Sequence, residues 1–296
     1  MIRSRLLPIS TVVAVIIAIW YSGAVFLNAP FEYAAAERSQ TSITFAQVLP
    51  KTMAQQRPVL PAPHQVGQEI WKTTGAMVQR GRAFSKRSLI YHARVTLSAT
   101  LLGFVMGTAF GILLAVGIVH SKVMAKSVMP WIITSQTIPI LAIAPMIIVV
   151  LASIGLTGLM PKSFISMYLS FFPVTVGMVK GLKSPEVTHM DLMDTYSASR
   201  SQTFWKLRWP SSLPYLFTSM KIGIAASLVG AIVGELPTGA VAGLGARLLA
   251  GSYYGQTVQI WSALIVAAVC AGLLVTVIGI IGDQVNRRMG FREVTS

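Results

Sequence analysis

Between Lys126 and Lys162 the chain carries no charged side chain. A helix of about 20 apolar residues crosses the hydrocarbon core of a bilayer, because it satisfies all of its own backbone hydrogen bonds. Five further runs have the same character. Leu6–Asn28 ("LLPISTVVAVIIAIWYSGAVFLN") follows Arg3 and Arg5, and Val95–Val119 comes next. Ser163–Val179 is the shortest, and Thr257–Gly282 ends at Asp283. The remaining run, Tyr215–Leu236, holds Lys221. A central lysine costs about 2.5–3.5 kcal/mol against about 0.3–0.6 returned per Leu, Ile, Val or Phe. Lys221 is therefore expected near one end of its span, with its ammonium reaching the interface. Only 11% of the 296 residues are charged, against about 25% in soluble domains. The expected fold is all-α, a polytopic membrane protein with six transmembrane helices.

Lysine and arginine in short loops set the orientation. With the N-terminus inside, the inner segments hold Arg3, Arg5, Lys122, Lys126, Lys180, Lys183, Arg200, Lys206, Arg208, Arg287, Arg288 and Arg292. The short outer loops hold only Lys162 and Arg247. The segment from Asn28 to Arg94 runs against this pattern, with nine lysines and arginines on the outer side, but loops of this length largely escape the rule. Both termini are thus expected in the cytoplasm. The predicted organisation is an N-terminal helix over 1–27, an outer segment over 28–93, a membrane core over 94–282 and a tail over 283–296. The first run is expected to be retained as a helix; the alternative is a signal peptide cleaved near Ala34 or Ala36. In the outer segment Pro61 and Pro63 give an extended entry to an amphipathic helix bearing Ile70 and Met77.

Gly103, Gly107 and Gly111 recur every four residues, which stacks bare backbone on one helix face for close helix packing. Pro139 and Pro145 interrupt the third span, and such breaks are tolerated where a helix lines a cavity or meets protein. With Gln136 nearby, Gln136, Pro139 and Glu235 are the candidates for lining a pathway. Glu235 ends the fifth span, and its bland alternative is a wetted acid paired with Arg247 or capping the next helix.

The catalytic motifs are missing. There is no phosphate-binding Gly-x-x-x-x-Gly-Lys-Ser/Thr, no Gly-x-Ser-x-Gly and no His-Glu-x-x-His. Four scattered histidines lack metal-site spacing, and the single Cys270 excludes an internal disulfide. The net charge of +15 suits loops beside anionic lipid head groups rather than nucleic acid. No catalytic residue, metal or cofactor is expected, and the chain has no evident energy source of its own.

One polar stretch, Lys183 to Pro210, interrupts the greasy core: "KSPEVTHMDLMDTYSASRSQTFWKLRWP". Ser184-Pro185-Glu186 supplies an N-cap, a first-turn proline and an early acid, predicting a helix over 186–197. A turn over Ser197–Ser199 and a second helix over 201–209, stopping before Pro210, should follow. Leu192, Met193 and Tyr196 share one face of the first helix. Two readings fit: an interfacial helix with a tryptophan belt, or a two-helix knob that docks another protein.

The stretch resembles the cytoplasmic signature of permease subunits in binding-protein-dependent ABC importers: Glu-Ala-Ala, three residues, Gly, nine residues, Ile-x-Leu-Pro. Asp191 stands for the acid, Leu192 and Met193 for the alanines and Ser197 for the glycine, followed by Ala198. "LRWP" closes the motif from Leu207 to Pro210. Asp191, Ser197 and Trp209 depart from the pattern. "LPAP", "IPILAIAPMIIV", "SFFPVTVGMVKGL", "SSLPYLFTSMKIGIA" and "GAIVGELPTGAVAGLGARLL" extend the resemblance over most of the chain. It implies the type I importer permease fold and a homodimer with a second copy. It also implies two cytoplasmic ATPase subunits, which bind the ATP and seat the loop, and a periplasmic or lipid-tethered substrate-binding protein. The coupling residues would be Asp191, Leu192, Met193, Ser197, Ala198, Leu207 and Pro210. The chain is most similar to the branch importing nitrate, sulfonates, taurine, riboflavin and pyrimidine precursors, leaning to pyrimidine-like solutes. The alternative from another class is an ion-coupled secondary transporter, with an intramembrane enzyme more distant.

Overall fold

A computed structural model describes residues 2–237 and 240–290. Arg292, and Gly239 within the stretch "GAIVGELPTGAVAGLGARLL", lie outside the described residues. Thirteen α-helices follow in order: α1 Ile2–Arg38, α2 Phe45–Met53, α3 Pro63–Thr73, α4 Gly75–Gln79, α5 Leu89–His120, α6 Lys122–Ser135, α7 Ile140–Ser153, α8 Leu159–Leu182, α9 Val187–Thr195, α10 Arg200–Thr203, α11 Trp209–Glu235, α12 Leu244–Tyr253 and α13 Thr257–Arg288. A π turn, Phe204–Arg208, joins α10 to α11. The described residues contain no strand, in keeping with the all-α expectation. Five helices or helix runs are long and apolar enough to span a membrane. The pair α6 and α7, bent by 103°, is apolar enough to add a sixth, as a broken span or a re-entrant loop.

That bend follows from local chemistry. Ile138 precedes a proline and is pushed out of the helical region. Pro139 then caps α7 with φ −59° and ψ 122°. Thr137 closes α6 by donating its backbone N–H and its hydroxyl to Thr134 O, at 3.0 and 2.8 Å. Pro145 lies inside α7 without breaking it.

The chain divides into two compact units, residues 1–92 with 246–267, and residues 93–245 with 268–296. In the first, α1 continues past residue 27 as far as Arg38. Buried Asn28 holds the extended segment before α3: its Oδ1 accepts from the Val59 and Leu60 N–H groups at 2.8 and 3.3 Å, and its Nδ2 donates to Leu60 O. Trp20 donates to Pro61 O at 2.9 Å and its ring lies 4.9 Å from that of Trp261. Pro63 opens α3, as the extended entry predicts. The amphipathic stretch is two helices rather than one: Thr74, at φ −119° and ψ −82°, separates Ile70 in α3 from Met77 in α4.

In the second unit α5, α8 and α11 touch backbone to backbone. A Cβ at Gly111 would come within 2.9 Å of Phe171 O, and one at Gly103 or Gly107 would collide with Ser166 or Ser170. α11 packs on α8 in the same way, with Gly230 against Ser166 and Gly181 against Ser212. Ser166 Oγ and Ser227 Oγ are 2.7 Å apart, and Ser227 donates to Thr100 O at 2.8 Å. Small side chains let the helices approach, and serine hydroxyls find carbonyl partners across the gap. Lys221 lies near the middle of α11. Its stem passes beside Gly279 of α13, which has no side chain to obstruct it.

Gly230→Val should lower stability by about 1–3 kcal/mol, since the added carbons meet Ser166 backbone within 2.7 Å. Gly272→Ala in α13, where nothing lies within 4 Å, should leave the thermal midpoint of the detergent-solubilised protein unchanged or slightly raised.

Candidate functional site

The polar stretch folds as a helical knob. Ser184 does not cap α9, because its hydroxyl donates to Gly181 O at 2.7 Å and so closes α8. Glu186 takes the N-cap position, with φ −63° and ψ 153°. α9 carries Asp191, Leu192 and Met193 and ends in a Schellman turn. Ser197 N–H donates to Asp194 O and Ala198 N–H to Met193 O, both at 2.9 Å. Ser197 occupies the left-handed position with φ 52°, where glycine is ordinarily found. Ser199 then starts α10 with a capping box: its hydroxyl accepts from Gln202 N, and its own N–H donates to Gln202 Oε1 at 2.8 Å.

The second helix does not stop before Pro210. It widens into the π turn and continues as α11, with Pro210 in the first turn. A proline ring clashes with the carbonyl four residues back and lacks an N–H. Here the Trp209 N–H bonds Phe204 O, and the wider turn accommodates both defects. Leu207 lies inside this turn. Phe204 is anchored among Ile118, Ile132 and Leu182, and the rings of Trp205 and Trp209 lie 5.6 Å apart beside it. Leu192, Tyr196 and Trp205 remain exposed.

The same α11 forms one wall of a cavity of about 770 Å³. α8 supplies Phe172, Gly177 and Lys180, and α11 supplies Tyr215, Thr218 and Ser219. Gln136, at the end of α6, also lines it. Lys180 Nζ stands 5.8 Å from the Tyr215 ring centroid, a cation–π distance. The cavity is largely apolar, with one cation and a few hydrogen-bonding groups.

Pro139 and Glu235 are not among the residues lining this cavity. Pro139 caps α7. Glu235 is fully buried in a network at the opposite end of α11 from the knob. Thr96 of α5 donates its hydroxyl to Glu235 Oε1 and Oε2 at 2.9 and 3.1 Å. Gly245 N–H donates to Oε2 at 2.7 Å, and Leu244 N–H donates to Thr96 Oγ1 at 2.8 Å. Lys162 Nζ is 4.0 Å from Oε1 and also donates to Ala242 O. Gly243, at φ 129°, lies against the carboxyl where a Cβ would collide. Glu235 thus caps the start of α12, as the bland alternative anticipated, but it is dry, and the cation beside it is Lys162. Arg247 instead faces the charge of Glu69, and burial lowers its guanidinium from the ordinary value. Sequence reasoning placed Lys162 in a loop and passed over Thr96. The available signal was a lone lysine at the very start of an apolar run.

The described unit of closely packed helices, with a helical knob leading into a cavity wall, has a sequence counterpart. Residues 107–291 match the family described as binding-protein-dependent transport system inner membrane component. The chain belongs to this family. Among relatives, the formylaminopyrimidine transport permease protein of Halalkalibacterium halodurans is 32% identical over 169 residues, 57% of this chain and 66% of that one. The riboflavin transport system permease protein of Chloroflexus aurantiacus is 29% identical over 190 residues, 64% of this chain and 65% of its own. The taurine transport system permease protein of Escherichia coli is 26% identical over 216 residues, 73% and 74% of the two chains. The chain therefore spans about two thirds of the length of the first of these relatives.

Breaking a buried ion pair by removing one partner costs about 3–5 kcal/mol. Glu235→Ala should therefore destabilise the protein by about that amount, leaving Lys162, the Thr96 hydroxyl and the Gly245 N–H without the carboxylate. Glu235→Gln keeps an acceptor for Gly245 N–H and should lose less. Thermal unfolding of the two purified variants, with Thr96→Val to complete a double-mutant cycle, measures both costs.

Proposed function

We propose that this chain is the membrane permease subunit of a binding-protein-dependent ABC importer, forming the substrate pathway and coupling it to a separate ATPase. The observation carrying the reading is the knob: an exposed apolar face, a Schellman turn with φ 52° at Ser197, and direct continuity into α11. The motif position that takes glycine in the family falls on the one left-handed residue of the loop, and the helix that leaves the loop is itself a wall of the cavity. Family membership supports the same reading.

In this proposal the knob seats in a cleft of a cytoplasmic ATPase subunit that binds and hydrolyses ATP. Asp191, Leu192, Met193, Ser197 and Ala198 make the contact, and Leu207 and Pro210 carry the displacement into α11. Both termini are cytoplasmic, the permease pairs with a second copy in the inner membrane, and a periplasmic or lipid-tethered binding protein delivers the solute. Gln136 and Lys180 line the pathway. Pro139 sets the bend that brings Gln136 to the pathway, and Glu235 is a positioning residue at the far end of α11. A small nitrogen-containing or anionic solute, such as a pyrimidine-like compound, fits an apolar cavity with one cation and an amide. The relatives' solutes, formylaminopyrimidine, riboflavin and taurine, support that class.

The test is co-purification of the tagged permease with its ATPase, together with uptake in proteoliposomes. Ser197→Arg and Asp191→Lys should fold and insert normally but lose most ATPase recovery or uncouple hydrolysis from uptake. Ser197→Gly should match or exceed the parent, because a non-glycine residue at positive φ carries about 1–2 kcal/mol of strain. Normal recovery and uptake in both charge variants, or uptake by the lone chain driven by an ion gradient, would overturn the reading.

A further inference from the structure

The basic outer segment is the feature that the permease reading does not use. No acid occurs between Glu69 and Glu186, yet Arg80, Arg82, Lys86 and Arg87 fall within eight residues. All four are exposed, and among the described residues none of them forms an ion pair. The segment bearing them is ordered. Arg82 N–H donates to Met77 O at 2.8 Å, and Ser88 donates its hydroxyl to Thr73 O at 3.1 Å. His92 Nε2 lies 3.0 Å from Lys86 O. Phe84, 63% exposed, stands between the cations. Two residues past Arg87, at Leu89, the chain enters the membrane-spanning α5.

A fixed cluster of cations, with an exposed aromatic ring among them, at the point where a helix enters the bilayer matches the head-group layer. Each lysine or arginine near an anionic surface contributes about 1 kcal/mol, and aromatic rings settle at the same depth. We propose that residues 80–87 form a binding surface for anionic phospholipid head groups, seating the entry to α5 against the leaflet. The partner's chemistry is a phosphodiester carrying net negative charge beside acyl chains. The reading stands apart from the permease assignment, since lipid retention is measured on this chain alone.

The experiment uses the full chain in mild detergent. Phosphatidylglycerol added to the micelles should raise the thermal midpoint and co-purify with the chain, while phosphatidylcholine should do neither. The variant carrying Arg80→Gln, Arg82→Gln, Lys86→Gln and Arg87→Gln should retain about tenfold less phosphatidylglycerol or lower still. The charge-keeping variant Arg80→Lys, Arg82→Lys, Arg87→Lys should behave as the parent, which separates charge from loop folding. Salt at about 0.5 M should weaken the retention. Equal retention by the glutamine variant would overturn the proposal. So would an equal midpoint shift from glycerol phosphate alone, which lacks acyl chains. The same holds if the glutamine variant keeps its lipid and loses only its response to an acidic binding protein.

Discussion

The arrangement rests on backbone contact among α5, α8 and α11. Between helices in a membrane, association relies on packing and interhelical hydrogen bonds rather than on expelling water. Gly103, Gly107 and Gly111 bring α5 onto the serines of α8, and Gly181 and Gly230 join α8 to α11. Each serine hydroxyl in that seam then finds a carbonyl, whereas the buried Thr108 hydroxyl of α5 has no partner among the described residues. The cavity and the buried carboxylate network both sit on walls that this seam fixes.

α11 connects what the seam holds. The run from Arg200 to Glu235 is a single helical span, with the knob's turn before it, the cavity wall along it and the Glu235 network at its end. The π turn at Phe204–Arg208 is what allows proline at position 210 without a stop. The aromatic cluster of Phe204, Trp205 and Trp209 packs around that wider turn.

Features governed by neighbours in sequence were readable. The apolar runs gave the spans, Pro139 marked the break, and the four-residue glycine spacing marked the close face. The turn after α9 was also placed correctly, among the short polar residues Ser197–Ser199. What escaped depended on partners far along the chain or on competition for one group. Ser184 looks like a cap, but its hydroxyl is already engaged with Gly181 O. Pro210 reads as a stop, and only the π turn cancels it. Bare Gly279 gives the Lys221 stem room beside α13, a contact that nothing within the run itself marks. The Lys162–Glu235 pair was invisible because one partner looked like an ordinary loop cation.

The Glu235 network also has a history in time. Thr96 and Glu235 are 139 residues apart. At the usual pace of synthesis, about 5–20 residues per second, the carboxylate leaves the ribosome roughly 7–28 s after its hydroxyl partner. Lys162 is made between the two. Once α8 is complete, α5 and α8 are present without the acid that will join them, with Lys162 in the first turn of α8. Glu235 completes the pair with buried Lys162 and accepts from the Gly245 N–H at the start of α12. The acid is thus made after both helices that it bridges, and a nascent chain stalled before residue 235 would lack the group that ties α5 and α8 to the start of α12.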